Sequence, residues 1–156
     1  MDLYLFLIFM AASAAAASTG MMFRPGVWYD GLSKPWWTPK PWMFPVVWTT
    51  LYIASSVAAA RVAAVDGNAM AMAFWAMQVA FNTLWSPVFF GLRRLKLALC
   101  VMVGLWVAVL GMVWTFWPLD AWAGLLVTPY LLWVSVAGLL NFSVMLRNPQ
   151  DVPVAL

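Results

Sequence analysis

Apolar residues run along this chain in long blocks, broken at a few short polar clusters. Arg24-Pro25-Gly26, Asp66-Gly67-Asn68, Arg93-Arg94-Leu95-Lys96 and Pro118-Leu119-Asp120 are the breaks. Between them lie five segments, at about 3–23, 43–64, 70–92, 97–117 and 122–146. A helix needs about 20 apolar residues to cross the hydrocarbon core, and each segment reaches that length. The pattern predicts an all-α integral membrane protein, a five-transmembrane-helix bundle with a long first loop. The remaining connections are tight, so sequential helices are expected to be neighbours. No repeat or second domain interrupts 1–156, which reads as one transmembrane domain.

Composition supports this reading. Hydrophobic residues make up 66% of the 156 positions and charged residues 8%, whereas a soluble domain carries about 25% charged residues. The few cations record sidedness. With five spans, Arg24, Lys34, Lys40, Arg93, Arg94, Lys96 and Arg147 fall on one side and Arg61 alone on the other. By the positive-inside bias, the C-terminus and first loop are expected in the cytoplasm and the N-terminus opposite. This use of the basic residues leaves no case for nucleic acid. The first segment imitates a secretory signal through Ala12, Ala14 and Ala16, but its start carries Asp2 and no cation. It therefore reads as a first helix kept thin by alanine.

The inventory of reactive groups excludes much chemistry. The chain has no histidine and one cysteine, Cys100. Histidine-dependent nucleophile systems, an internal disulfide and a thiolate metal cluster are all ruled out. No metal or cofactor is required by what remains.

Helical periodicity separates the third segment into two faces. Phe74, Gln78, Phe81, Asn82, Trp85 and Phe89 lie on one, and Ala69, Ala73, Ala76 and Ala80 on the other. The buried amides either bond a neighbouring helix or line a polar spot in a pocket. The alanine stripe either packs inside the bundle or makes a homodimer face. In the fifth segment Tyr130, Trp133, Ala137 and Asn141 align, and in the second Trp48, Tyr52, Ser55 and Ala59. Facing one another, the three would form a tall aromatic cavity suited to a flat, largely apolar ligand. Trp117 and Trp122 flank a loop and read as interfacial belt residues, a role also open to Trp28 and Trp42.

The stretch WYDGLSKPWWTP from Trp28 to Pro39, WTTLY from Trp48 to Tyr52, the Gln78, Asn82 and Trp85 pattern leading to Phe89-Phe90, and PYLLW from Pro129 to Trp133 with Asn141 further on occur in order. Together they resemble the tryptophan-rich translocator protein family, TspO/MBR, over essentially the whole chain. The resemblance implies a five-helix bundle, usually a homodimer, with a pocket under the first loop. By the same resemblance, that pocket is expected to bind porphyrins such as protoporphyrin IX, sterols, and isoquinoline or benzodiazepine-type drugs. It implies a receptor or sensory role in tetrapyrrole regulation or stress. The alternatives are light- and oxygen-dependent porphyrin degradation and facilitated transport of hydrophobic ligands. Carried over by motif, Trp36 and Trp133 are the tryptophans of degradation. Phe44, Trp48, Tyr52, Asn82, Phe89 and Ala137 join them as lining positions, with Trp36 expected as an inward-pointing lid. The family's third helix often mediates dimerisation, which favours Ala69, Ala73, Ala76 and Ala80 as the dimer face. The proposed sterol motif is weakened: Leu140, Phe142 and Arg147 stand where the pattern wants a tyrosine in the middle. Ion-coupled transport is disfavoured, because no ionisable group lies deep within a span.

Overall fold

The computed structural model describes residues 2–149. Its elements are α1 (Leu3–Met22), the short α2 (Val27–Asp30), α3 (Met43–Val62), α4 (Ala69–Ser86), α5 (Leu95–Leu119) and α6 (Ala121–Arg147). A π-helical turn, Pro87–Gly91, continues α4. No strand occurs among the described residues. Met1 and residues 150–156 lie outside them. Helices α1, α3, α5 and α6 are long and apolar enough to cross a membrane, consistent with a multi-pass integral membrane protein. Helix α4 falls short by composition, because Gln78, Asn82, Thr83 and Ser86 interrupt its apolar run.

Local chemistry explains the helix ends. Asp2, the residue that spoils the signal-peptide reading, is the N-cap of α1; its carboxylate accepts the N–H groups of Tyr4 at 2.8 Å and Leu5 at 3.3 Å. A single residue, Asp120, separates α5 from α6. Its extended backbone stops one helix and its side chain accepts the Ala123 N–H at 3.0 Å to start the next. Pro87 has no N–H to give to the preceding turn, and there the winding loosens to π. The turn closes with Leu92 N–H donating to the Pro87 carbonyl at 2.8 Å. Both Val88 and Phe89 are thereby buried.

Around the bundle the helices run α1, α3, α6, α5, α4 and back to α1. The expectation that sequential helices are neighbours holds for α4 with α5 and α5 with α6, but not for α3 with α4, which touch sparingly. Helix α1 wedges between them. Ser13 and Ser56 hydroxyls meet at 3.1 Å across the α1–α3 contact, and Phe9 packs edge-on against Trp75 of α4, centroids 4.7 Å apart. Small residues on α1 and α3 permit this approach, with Ala16, Ala58, Ala59 and Ala60 all buried.

On the other flank of α4, two phenylalanines a heptad apart fill two notches in α5. A Cβ on Gly104 would stand 2.5 Å from the Phe81 ring, and one on Gly111 would collide with Phe74. Phe74 and Phe81 thus pack on α5, and Phe81 also joins the layer around Leu51, Met102 and Tyr130. Gln78 and Asn82, between them, are buried toward α6. Ala69, Ala73, Ala76 and Ala80 are all exposed along the outer face of α4.

At one end of the bundle Arg61 of α3 donates to the Asp120 carboxylate at 2.8 Å, tying α3 to the α5–α6 junction. Partial burial pushes the Asp120 carboxyl up. The Ala123 N–H and the Arg61 guanidinium outweigh that effect and hold it below the usual carboxylate range. The other end gathers the first loop, the π turn, the start of α5 and the end of α6 around Val88, Phe89, Leu95 and Val144.

Candidate functional site

Along α6, Tyr130, Trp133, Ala137 and Asn141 face inward at helical spacing, and side chains of α3 and α4 meet them. Tyr130 is the hub. Its hydroxyl accepts from the Asn82 amide nitrogen at 2.6 Å and donates to the Gln78 carbonyl oxygen at 2.9 Å. A phenol buried to 1% exposure would be costly without partners; here one hydroxyl serves both amides of α4. Gln78 and Asn82 thus bond a neighbouring helix, the first of the two roles open to them.

Aromatic rings extend outward from this hub. Trp48 meets Tyr130 edge-on with centroids 5.9 Å apart and lies 5.6 Å from Tyr52. Phe44 packs edge-on against Trp133 at 5.8 Å. Ala137 packs into the same layer beside Leu51, Met102 and Val134. One turn nearer the first loop, Trp85 stacks on Phe89 at 4.9 Å and donates its indole N–H to Asn141 at 3.1 Å. Asn141 in turn donates to the Leu95 carbonyl at 3.2 Å. Trp28 and Tyr29 of α2 close over Phe89 with centroid distances of 5.9 and 6.2 Å. In Tyr29, burial and then the nearby Asp30 charge push the phenol up, so it remains a neutral hydroxyl.

One buried polar atom stands apart. The indole N–H of Trp133 has no hydrogen-bond partner, the one such side-chain atom among the described residues. Buried polar groups in proteins are overwhelmingly paired, so an orphan of this kind calls for an explanation. Trp133 also forms part of a groove on the outer face between α3 and α6. This groove has a volume of about 360 Å³ and is lined by Val46, Thr50, Leu51, Pro129, Leu132 and Val136 among others.

The structure therefore brings together Phe44, Trp48, Tyr52, Asn82, Trp133 and Ala137, with Phe89 in the adjoining layer. It does not bring Trp36 to them. That side chain is 94% exposed and points away from the bundle, while its neighbour Pro35 is buried. The inward-pointing lid is thus corrected: proline, the residue with no long side chain to turn, takes the inner position. The residues of the weak sterol motif do not share a surface either. Leu140 is buried, whereas Phe142 and Arg147 face outward. Two features escaped sequence reasoning. The central role of Tyr130 is one, although its place on the face of Trp133 and Asn141 was visible. The other is the bond from the Trp75 indole to Ser55 at 3.1 Å, which joins α4 to α3.

Chemically, the cluster offers stacking surfaces, apolar walls and one free indole donor. It holds no carboxylate, ammonium or imidazole for acid–base work, and among the described residues no three His, Cys, Asp or Glu side chains gather to hold a metal.

Residues 4–147 match the TspO/MBR family. The chain is 51% identical over 148 residues to the tryptophan-rich sensory protein of Cereibacter sphaeroides, covering 95% of this chain and 94% of that one. It is 48% identical to protein CrtK of Rhodobacter capsulatus over the full length of both. Against the translocator protein of Bos taurus it is 33% identical, over 74% of this chain and 71% of the relative. The chain belongs to the TspO/MBR family.

Proposed function

We propose that this member of the TspO/MBR family is a five-span membrane receptor whose aromatic cluster binds a flat, porphyrin-like ligand bearing an oxygen acceptor. The unpaired indole N–H of Trp133 carries the reading. It is a donor held among Phe44, Trp48 and Tyr130, where rings can stack on a macrocycle and a carboxylate or carbonyl can take the hydrogen bond. Protoporphyrin IX fits this chemistry as ligand, and sterols or isoquinoline-type drugs would use the apolar walls with fewer polar contacts. In this reading Phe44, Trp48, Tyr52, Asn82, Phe89, Trp133 and Ala137 form the site, with Asn82 and Gln78 holding Tyr130 in place.

Support for the fifth span comes from α4. Its amides are bonded to Tyr130 inside the bundle, so they need not meet lipid. With the π turn, residues 69–91 reach about 34 Å at 1.5 Å per residue. Seven cations at the first-loop end support a cytoplasmic position for that loop and the C-terminus. The exposed row Ala69, Ala73, Ala76 and Ala80 suits close approach of a second copy in a homodimer.

Titrating the purified chain with protoporphyrin IX while following tryptophan fluorescence tests the assignment. Saturable quenching that weakens on substitution of Trp133 is expected; an absence of saturable quenching overturns it. Porphyrin degradation through Trp36 and Trp133 is the weaker reading, since the two indoles do not share a site in this structure.

A further inference from the structure

The first loop presents two indoles outward, and several bonds go into holding them there. In the turn 35–38, Thr38 donates both its N–H, at 3.1 Å, and its hydroxyl, at 2.6 Å, to the Pro35 carbonyl. Just before it, the Lys34 ammonium donates to the carbonyls of Tyr29 at 2.6 Å, Leu32 at 3.1 Å and Asp30 at 3.2 Å, and sits over the Tyr29 ring. Ser33 is clipped to the end of α6, its N–H donating to the Asn148 side-chain oxygen and its carbonyl accepting from the Asn148 amide, both at 3.0 Å. Pro35 is buried as the inner foot of the turn. From this framework Trp36 emerges 94% exposed and Trp37 38% exposed.

Two indoles at the tip of a well-bonded turn are a poor fit to water. They fit the membrane interface, where a ring that is apolar in body and polar at its N–H is preferred. The surroundings agree. Met22, Val27 and Trp42 are also exposed at this end of the bundle. Lys40 is exposed close by, and Arg93 and Arg94 lie exposed in the nearby α4–α5 connection. Apolar tips alternate with cations as a layer of phosphates above acyl chains would require.

We propose that the turn 35–38 is an interfacial anchor, its Trp36 and Trp37 rings seated in the headgroup–glycerol layer of the bilayer beside the bundle. The loop is then a strap fastened at three points: to α6 through Asn148, to the bundle through Pro35, and to lipid through the two indoles. This assignment rests on the chain spanning a membrane and is independent of which ligand the aromatic cluster takes.

The test uses the full chain labelled with 5-fluorotryptophan and reconstituted in lipid nanodiscs. The fluorine line of Trp36 is identified by its loss in Trp36→Phe, a change at an exposed position. A lipid carrying a nitroxide at acyl carbon 5 is expected to broaden the Trp36 line beyond detection, while a water-soluble gadolinium chelate leaves it visible. The line of the buried Trp75 is the control and survives both. A Trp36 line erased by the chelate and spared by the lipid places the indole in water and overturns the proposal. A line spared by both places it against protein, in a closed loop or a second copy, and overturns it as well.

Discussion

The hydroxyl of Tyr130 lies 2.6 Å from the amide nitrogen of Asn82, and this bond joins two helices across the middle of the bundle. Because the same hydroxyl donates to Gln78, removing it strands two buried amides. Tyr130→Phe is expected to destabilise the folded bundle by about 1–3 kcal/mol, read as a lower thermal midpoint in detergent. Adding Asn82→Leu to Tyr130→Phe is expected to cost less than the sum of the two single changes, since the amide no longer waits for a partner. Additive losses would show that the pair does not act as a unit.

Packing between α4 and α5 makes a separate prediction. Gly104 and Gly111 are notches for Phe81 and Phe74. Gly104→Ala places a methyl group where the Phe81 ring lies, and overpacking of this kind costs about 1–3 kcal/mol. Shortening the ring partner relieves the clash, so Gly104→Ala with Phe81→Leu is expected to regain part of the loss. Thermal unfolding of the four variants checks the cycle. A neutral Gly104→Ala would mean that the ring moves aside freely.

Sequence periodicity located α1, α3, α5 and α6 to within two residues, because crossing the hydrocarbon core requires an unbroken apolar run. Helix α4 instead ends at Ser86, short of the expected 92, where Pro87 changes the winding to π. It also found the inward faces of α3, α4 and α6, where rings and amides recur at helical spacing. It failed wherever the outcome depends on a partner distant in the chain. Phe74 shares a helical face with Gln78, yet it is Gly111 on α5 that decides where its ring goes. The wedge of α1 between α3 and α4 depends on Ser13 meeting Ser56, and nothing local to either serine announces it. Trp36 and Trp37 look alike as neighbours of Pro35, and the direction of the turn is set by Lys34, Thr38 and the remote Asn148.

The Arg61–Asp120 bridge carries a pH dependence whose sign follows from its chemistry. The Asp120 carboxyl is held below its ordinary value of 3.8 in the folded chain. It therefore contributes stability above the unfolded value, and that contribution is lost as pH falls through the lower folded value. Unfolding followed between neutral pH and about pH 3 is expected to show this acid loss in the native chain. In Arg61→Gln the loss is expected to shrink, since one of the groups that favour the carboxylate is gone. An unchanged acid limb in Arg61→Gln would assign the effect to the backbone N–H groups of Ala123 and Trp122.

The unpaired N–H of Trp133 separates a structural role from a binding one. If it serves the fold, removing it weakens the fold. If it waits for a ligand, removing it leaves the fold untouched and weakens the complex. Replacing the indole at 133 by benzothiophene keeps the shape of the two fused rings and exchanges N–H for sulfur, so no cavity confuses the comparison. The expected outcome is an unchanged or slightly higher thermal midpoint, because a buried donor without a partner has been removed. Affinity for protoporphyrin IX is expected to fall about tenfold, the equivalent of one hydrogen bond of about 1.4 kcal/mol. Fluorescence titration and thermal unfolding of the same preparation read both quantities. A lower midpoint with unchanged affinity would return Trp133 to the packing of α6 and remove the donor from the site.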